Sequence, residues 1–281
     1  MELLKNSYAA PFETLNFKND PAAAARHINA WVEEQTRQRI RDLVPEPALT
    51  RLTRLLLVNA VYLKTPWANP FEIEATKPGS FFVNGTSEVQ VPMMHQTDEL
   101  LFAEGKGFVA VNLGLTYSLR FLIFLPANRT GLRELEQQVS PDLIAGKLKW
   151  ERREVILSMP RFKLEPPALS LSAALQSLGM KTAFDIPLRS ANFDRMAARH
   201  DDEYLAISDV FHKTFLNLDE KGIEAAAATA VAVEGLASVM KPPKPVEVRV
   251  EHPFLFAITT QATRELNQPV CLFLGHITDP R

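Results

Sequence analysis

Residues 222–235, an alanine-rich segment between two glycines, constrain the fold more than any other stretch of this sequence. Five of the six residues in 225–230 are alanine, which by intrinsic propensity alone would favour a helix. Gly222 stands directly before the alanines, however, and Gly235 and a proline-rich stretch follow them. Glycine and proline in these positions are typical of loops and not of one long helix.

The same segment also has the two-residue period of a β-strand, in which alternate side chains point to one face. One face would carry only apolar or small side chains, namely Ile223, Ala225, Ala227, Thr229, Val231 and Val233. The opposite face would carry alanines and the two glutamates, Glu224 and Glu234. A segment that is a loop in one state and a strand between two other strands in another state would have this pattern.

The rest of the sequence predicts an α+β fold, because long strands and helices occur without βαβ alternation. Apolar or alternating runs predict strands at 55–63, 81–86, 88–91, 119–125, 154–159, 246–250, 254–260 and 270–274. Helices are predicted at 19–43, 132–147 (with a restart at Pro141) and 170–178. The Asn84-Gly85 pair is a strong hairpin signal between the second and third strands.

Two of these predicted elements have distinctive features. The helix predicted at 19–43 begins at 19–21 with a capping residue and a proline suited to its first turn. Its apolar stripe consists of Ala24, Ile28, Trp31 and Val32. The run 55–63 is almost continuously apolar, which predicts a strand buried on both faces. Asn59 interrupts this run and needs a hydrogen-bond partner, for which His212 is a candidate.

Length and composition exclude several classes of protein. The 281 residues are 46% hydrophobic, enough to bury a large core in one large domain or two small ones. A net charge of −2, with no basic run that contains interleaved aromatics, argues against nucleic-acid binding. No apolar run reaches the length that spans a bilayer. The single cysteine, Cys271, rules out a disulfide framework, and its apolar neighbours predict a buried structural thiol.

The sequence contains none of the common catalytic motifs. There is no H-E-x-x-H, C-x-x-C, G-x-S-x-G or phosphate-binding loop. The six histidines lack the spacing of metal ligands, so we expect no metal and no cofactor. A catalytic triad is assembled in space, so closeness in sequence is little evidence for one. This applies to Ser208, Asp209 and His212. We therefore expect that the protein is not an enzyme.

Short blocks spread along nearly the whole chain carry a family resemblance. They lie at 59–67, 91–94, 159–162, 178–184, 210–213, 252–256 and 272–275. Together with the alanine-rich segment, and in this order, they resemble the serpins, a family of serine protease inhibitors. Several independent blocks in the order of the family make the resemblance specific.

The resemblance implies a serpin fold, with a large mixed or antiparallel main sheet, further sheets, surrounding helices and an exposed reactive-centre loop at about 220–247. It implies a single serpin domain over 1–281 that lacks the N-terminal quarter of the family. Residues 1–5 show no signal-peptide pattern, and we expect an incomplete N-terminus. Missing helices would leave the run 55–63 partly uncovered. By family resemblance we expect an extracellular monomer.

The function implied by the resemblance is inhibition of a serine-type endopeptidase as a suicide substrate. The protease would cleave the loop, and the loop would then insert into the main sheet and trap the covalent acyl-enzyme. Counting from the hinge glycine as the family does puts the reactive bond at Leu236–Ala237. A leucine before this bond implies a chymotrypsin-like or other apolar-preferring protease, with no nucleic-acid or membrane partner.

The resemblance also implies which residues govern insertion. The hinge and inserting loop comprise Glu220, Gly222, Ile223, Glu224, Ala225, Ala226, Ala227, Ala228 and Thr229. Ile223 departs from the small hydroxyl residue usual at the first inserting position, and it should slow insertion without preventing it. Trp67 resembles the tryptophan where the loop first enters the sheet. Asn59 and His212 resemble a polar pair whose hydrogen bonds hold the sheet closed.

The alternative interpretation is a serpin-fold protein without inhibitory activity, such as a carrier, a chaperone or an inactive truncated remnant. Charged or proline residues between Gly222 and Val233 would favour this alternative, and Glu224 is the only such residue there. The missing N-terminal quarter favours the alternative. An inhibitor of cysteine proteases on the same scaffold cannot be distinguished by sequence.

Overall fold

The computed structural model describes residues 12–200, 204–224, 244–262 and 268–281. The chain divides into two compact units. The first unit comprises Met1–Tyr62 and Leu164–Phe215, and the second comprises Leu63–Lys163 and Leu216–Arg281. Within the described ranges, no helix combines the length and the hydropathy that crossing a membrane requires.

Strands outnumber helices in the described ranges and do not alternate with them, so the α+β class is confirmed. The α-helices are α1 Pro21–Gln35, α2 Leu132–Glu136, α3 Pro141–Ile144 and α4 Ser172–Ser177. The strands are β1 Leu55–Tyr62, β2 Thr65–Pro66, β3 Lys77–Val83, β4 Ser87–Gly105, β5 Phe108–Leu115, β6 Leu119–Pro126, β7 Glu151–Pro160, β8 Phe162–Leu164, β9 Leu169–Ser170, β10 Ile207–Asp219, β11 Gly222–Ile223, β12 Val246–Arg249, β13 Phe254–Thr260 and β14 Cys271–Ile277.

The first unit is built on β1 and the beginning of β10, which run parallel from Leu55 opposite Ile207 to Tyr62 opposite Phe215. Helix α1 packs its apolar stripe into the core of this unit, as predicted. The helix begins where the sequence indicates, because the Asp20 carboxylate accepts a 2.8 Å hydrogen bond from the backbone N–H of Ala23.

Helix α1 ends at Gln35, so the prediction that it continues to residue 43 is wrong. Arg37 and Gln38 adopt φ angles of 53° and 61°, which turn the chain back on itself. No glycine or proline marks this point in the sequence. Ile40 and Leu43, which follow the turn, are still buried in the same core, so their apolar character reflects burial and not helix.

Strand β1 is covered on one face only, so the prediction of burial on both faces is wrong. The alternate residues Leu56, Val58, Ala60 and Tyr62 pack against the core of the first unit. The other face leaves Leu57 and Asn59 exposed and Val61 half-buried.

The second unit contains an eight-stranded sheet in the order β12-β7-β4-β5-β6-β13-β14, with β3 paired to β4. Neighbouring strands are antiparallel, except that β12 runs parallel to β7. The predicted hairpin joins β3 to β4, and its turn contains Asn84 at φ 53° and Gly85 at φ 78°. These left-handed angles explain why the Asn-Gly pair was a reliable signal.

A row of aromatic rings forms part of the core of the second unit. The Trp67 ring makes edge contacts with Phe71 and Phe121, at centroid distances of 5.8 and 5.6 Å. Phe121 stacks on Phe256 at 5.4 Å, and Phe256 contacts Phe162 at 5.8 Å. Each such pair contributes about 0.5–1.5 kcal/mol beyond the area that it buries. The row therefore gives Trp67 a rigid position.

The opposite side of this sheet is covered by α2 and α3, the helix with a restart at Pro141 that the sequence predicts. The Ser140 hydroxyl accepts a 3.2 Å hydrogen bond from the backbone N–H of Leu143 and caps α3. Leu135 and Leu143 from the two helices pack on the sheet.

Cys271 is exposed, so the prediction of a buried structural thiol is wrong. The residue begins β14, which among the described strands pairs only with β13 and lies at an edge of the sheet. The thiol itself is partly covered, which raises its pKa. Apolar neighbours in sequence therefore indicated the strand but not its position in the sheet.

The buried His252 predicts a loss of stability in mild acid. Burial lowers the pKa of its imidazole below the unfolded value of about 6.5. Above pH 6.5 the ring is neutral in both states; below it the unfolded chain takes up the proton first, and stability falls. We expect His252→Gln to flatten the dependence of the unfolding free energy on pH between 7 and 5, measured by urea titration.

The control for this measurement is His27→Gln. His27 is exposed and its ring contacts the Glu13 carboxylate at 2.9 Å. The control should retain the acid-side slope of the wild-type protein. Parallel pH profiles for the wild-type protein and His252→Gln would show that His252 does not contribute to that slope.

Candidate functional site

In the first unit, a polar pair joins β1 and β10. Asn59 lies opposite His212 in the parallel register. The His212 ring Nδ1 lies 2.7 Å from the Asn59 Oδ1, and the ring nitrogen is the donor because the amide oxygen can only accept. Two strands that would have to separate for a third strand to enter are therefore joined by their side chains as well as by their backbones.

In the second unit, the chain makes a tight reversal at the end of β10. After the turn, Gly222 pairs with Asp219 and Ile223 pairs with Leu218, both antiparallel. The other edge of β11 pairs, again antiparallel, with β2. The first two residues after the turn are therefore already a strand between two others.

Gly222 is required at this position for two independent reasons. Its φ is 134°, a conformation that residues with a side chain rarely adopt. A Cβ atom at Gly222 would also lie 2.5 Å from the backbone oxygen of Thr65 and 2.6 Å from the Cα of Pro66. The glycine therefore permits both the turn and the close approach of β11 to β2.

Ile223 is completely buried, with an exposed fraction of 0%. Its neighbours across the two pairings are Leu218 on one side and Thr65 on the other. The following residue, Glu224, adopts φ 46°, and its backbone N–H donates to the carbonyl of Asn217 at 2.9 Å. The strand thus ends directly after Ile223.

Trp67 holds the turn through its backbone and its side chain. Its backbone N–H donates to the carbonyl of Lys221 at 3.0 Å, and its indole N–H donates to the carbonyl of Asp219 at 2.9 Å. The indole is buried against the aromatic row of the second unit. Trp67 therefore lies at the point where β11 enters between its neighbours.

Glu220 is a buried carboxylate within the turn. Its Oε1 accepts a 2.8 Å hydrogen bond from the hydroxyl of Thr76 and lies 3.8 Å from the guanidinium of Arg161. Its backbone carbonyl accepts a hydrogen bond from the N–H of Phe71 at 2.9 Å. Because removing one partner of a buried charge is costly, these contacts stabilise the turn in one arrangement.

The sequence analysis did not identify two of the residues that contact this turn. The sequence analysis named Glu220, Gly222 and Trp67. It did not name Thr76 or Arg161, which both contact Glu220. Arg161 lies inside one of the blocks that carry the family resemblance, which was the only signal for it. Nothing in the sequence around Thr76 indicates that its hydroxyl reaches a residue 144 positions away.

The remaining predicted site residues lie outside the described residues. They are Ala225, Ala226, Ala227, Ala228, Thr229, Leu236 and Ala237. The reactive bond and most of the inserting face therefore stay predictions. Among the described residues, no group of three or more His, Cys, Asp or Glu side chains could hold a metal ion.

The chain belongs to the serpin family, since the family model for Serpin (serine protease inhibitor) matches residues 1–280. Human Serpin B4 is 34% identical over 289 residues, which cover 100% of this chain and 70% of that protein. An uncharacterized serpin-like protein of Thermococcus kodakarensis is 37% identical over 282 residues, which cover 99% of this chain and 62% of that protein. The predicted family is confirmed.

The serpin fold is confirmed by similarity to solved structures. Human thyroxine-binding globulin, in complex with thyroxine, matches with a TM-score of 0.82 at 27% identity. The match covers 99% of this chain and 70% of that chain. This chain thus spans 62% to 70% of the length of these three relatives.

The two constraints on Gly222 predict that Gly222→Ala destabilises the protein by more than the conformational cost alone. A side chain at a strained φ costs about 1–3 kcal/mol, and the contacts with Thr65 and Pro66 add to it. The measurement is the free energy of unfolding by urea. The matched control is Gly179→Ala, where φ is 104° but a Cβ would meet nothing within 4 Å. Equal losses in the two variants would contradict the close approach.

Proposed function

We propose that this protein is a serine-type endopeptidase inhibitor that traps its target as a covalent acyl-enzyme by inserting its loop into the sheet. The observation that carries the proposal is β11, whose two residues pair antiparallel with β10 on one side and β2 on the other. Strand addition is a recognised mode of recognition, and serpin loop insertion is a known example of it. Gly222 and Ile223 run antiparallel to both neighbours, which is the direction that an inserted strand would take.

The strand registers support continuation of β11 between β1 and β10. Counted along β10 from the pairing of Ile223 with Leu218, Thr229 would lie opposite His212. Counted from the pairing of Ile223 with Thr65, Thr229 would lie opposite Asn59. Asn59 and His212 are themselves opposite each other in the parallel register. Both counts therefore converge on the hydrogen-bonded pair, as an inserted strand without a bulge requires.

The side chains that would point inward suit this position. Ala225, Ala227, Thr229, Val231 and Val233 are small or β-branched, whereas the two glutamates of the segment would point outward. A charge at an inward position would cost several kcal/mol. Insertion would exchange the contact between Asn59 and His212 for backbone pairing along a new strand.

The proposed reactive bond is Leu236–Ala237, in a loop of about residues 220–247. At about 3.3 Å per residue, the stretch from Gly222 to Leu236 would carry a bound protease roughly 45 Å on insertion. Leucine before the bond favours a chymotrypsin-like or other apolar-preferring protease. The proposal includes no catalytic activity and no cofactor of the protein's own, and it takes the protein as an extracellular monomer with a single domain over 1–281.

A second candidate function is that of a serpin-fold protein without inhibitory activity. Thyroxine-binding globulin, a solved structure similar to this chain, was crystallised with thyroxine. A carrier would be compatible with this finding.

The experiment that separates the two candidates is incubation with chymotrypsin, followed by a denaturing gel and intact-mass analysis. The inhibitor proposal expects an adduct that survives denaturation, together with release of a peptide that begins at Ala237. Clean cleavage without an adduct would overturn the inhibitor proposal and favour the second candidate. A released peptide with a different first residue, found together with an adduct, would support trapping but place the reactive bond at another position.

The alternation of the loop predicts which substitutions abolish trapping. Ala227→Glu would bury an unpaired carboxylate on insertion, so the fraction of protease trapped should fall roughly tenfold or more, since about 1.4 kcal/mol is a factor of ten in rate. Ala230→Glu, which places the same charge on the outward face, should trap nearly as well as the wild-type protein. The measurement is the ratio of adduct to cleaved product on the gel. Equal losses in both variants would contradict the predicted inward and outward faces.

A further inference from the structure

Four large apolar side chains protrude into solvent from one short stretch of the first unit. Leu178 and Leu188 are 84% and 79% exposed, and Met180 and Ile186 are 46% and 44% exposed. We call these four residues the apolar tip. Single exposed apolar residues are common on protein surfaces, but several together mark a site of interaction.

Backbone hydrogen bonds hold the apolar tip in this arrangement. Helix α4 ends just before it, and the N–H of Met180 donates to the carbonyl of Leu175 in that helix at 3.0 Å. The N–H of Ile186 donates to the carbonyl of Lys181 at 3.1 Å, which brings the two halves of the stretch together. The apolar tip is therefore part of a hydrogen-bonded turn of the chain.

The acidic residue within this turn is used inside the chain. One carboxylate oxygen of Asp185 accepts a 3.0 Å hydrogen bond from the backbone N–H of Ala191, and the other accepts a 2.5 Å hydrogen bond from the hydroxyl of Tyr204. Lys181 and Arg189, in contrast, are exposed beside the apolar tip. The charges that solvent meets next to the tip are therefore mainly positive.

The positive charge extends into the residues that follow. Arg195 and Arg199 are exposed as well. The carboxylate of Asp194 lies 3.8 Å from the guanidinium of Arg199. Residues 178–200 contain four lysine and arginine residues against two aspartates, an excess of two positive charges. The surface thus combines protruding apolar side chains with a basic surround.

We propose that residues 178–200 are a docking surface for an anionic lipid bilayer. The apolar tip would insert among the lipid head groups, and the basic residues would contact the anionic ones. A bilayer accepts a protruding leucine at any position, whereas a protein partner would need a matching pocket for each one. No membrane partner is expected from the family resemblance. The reason to depart from that expectation is the exposure of the apolar tip, which no sequence pattern indicates.

The inference involves none of the loop residues and does not rest on the inhibitory function. Cosedimentation with lipid vesicles tests it. The wild-type protein should sediment with vesicles of phosphatidylcholine and phosphatidylserine, and added salt should weaken this binding because it screens the charges. Binding to vesicles of phosphatidylcholine alone should be at least about tenfold weaker.

Variants of the docking surface separate its two components. Leu178→Ser and Leu188→Ser should each weaken binding to the anionic vesicles roughly tenfold, because serine gains little from leaving water. Lys181→Gln should weaken the same binding roughly fivefold, because one attractive charge is removed while the apolar tip stays intact. Urea unfolding should give the same free energy for all three variants as for the wild-type protein, since exposed side chains contribute little to folding.

The matched control is Leu52→Ser. Leu52 lies in the same unit and is 78% exposed, but it does not belong to the apolar tip. Its replacement should leave vesicle binding unchanged. Equal losses in Leu52→Ser and Leu178→Ser, equal binding to both kinds of vesicle, or no binding to the anionic vesicles would overturn the proposal.

Sedimentation velocity without lipid tests the other possible occupant, a second copy of this chain. The wild-type protein should sediment as one species whose size does not depend on concentration. Self-association that Leu178→Ser abolishes would assign the apolar tip to an interface between two copies and would also overturn the proposal. Lys181→Gln keeps the vesicle test decisive if a serine variant proves unstable, because it leaves the apolar tip unchanged.

Discussion

The backbone pairing of β11 is the interaction on which the candidate site depends. Two residues, Gly222 and Ile223, lie between β10 and β2 and connect the end of a long strand to the alanine-rich segment. A positive φ and the absence of a Cβ at Gly222 make the pairing possible. Trp67 and Glu220 then stabilise the turn through part-buried hydrogen bonds.

Under the proposed function, the same residues would take part in two arrangements of the strands. In the structure, Asn59 and His212 join β1 to β10 directly. In the proposed inserted arrangement, Thr229 would stand between them. Backbone pairing along a new strand would be gained, while one side-chain hydrogen bond would be lost. Small inward side chains would keep the steric cost of this exchange low, which is why the alanine-rich composition suits the proposed function.

Local signals predicted the local structure of this chain well. Asp20 and Pro21 indicated the start of α1, Asn84-Gly85 the hairpin, and Pro141 the restart of a helix. The predictions that failed concern the end of a helix and how far other parts of the chain cover a residue. The end of α1 depends on left-handed residues without a glycine, and the burial of β1 and Cys271 depends on what else covers those faces. Periodicity reports which side chains share a face, but not whether that face is covered.

The sequence by itself determined the family, the α+β class and the starts of elements such as α1 and the hairpin, because each depends on residue identity at a short spacing. Tertiary structure alone decided that Ile223 is buried, that Glu220 contacts Thr76 and Arg161, and that Leu57 of β1 is exposed. These are contacts between distant parts of the chain. Their geometry follows from how strands pair and pack, which no local pattern encodes.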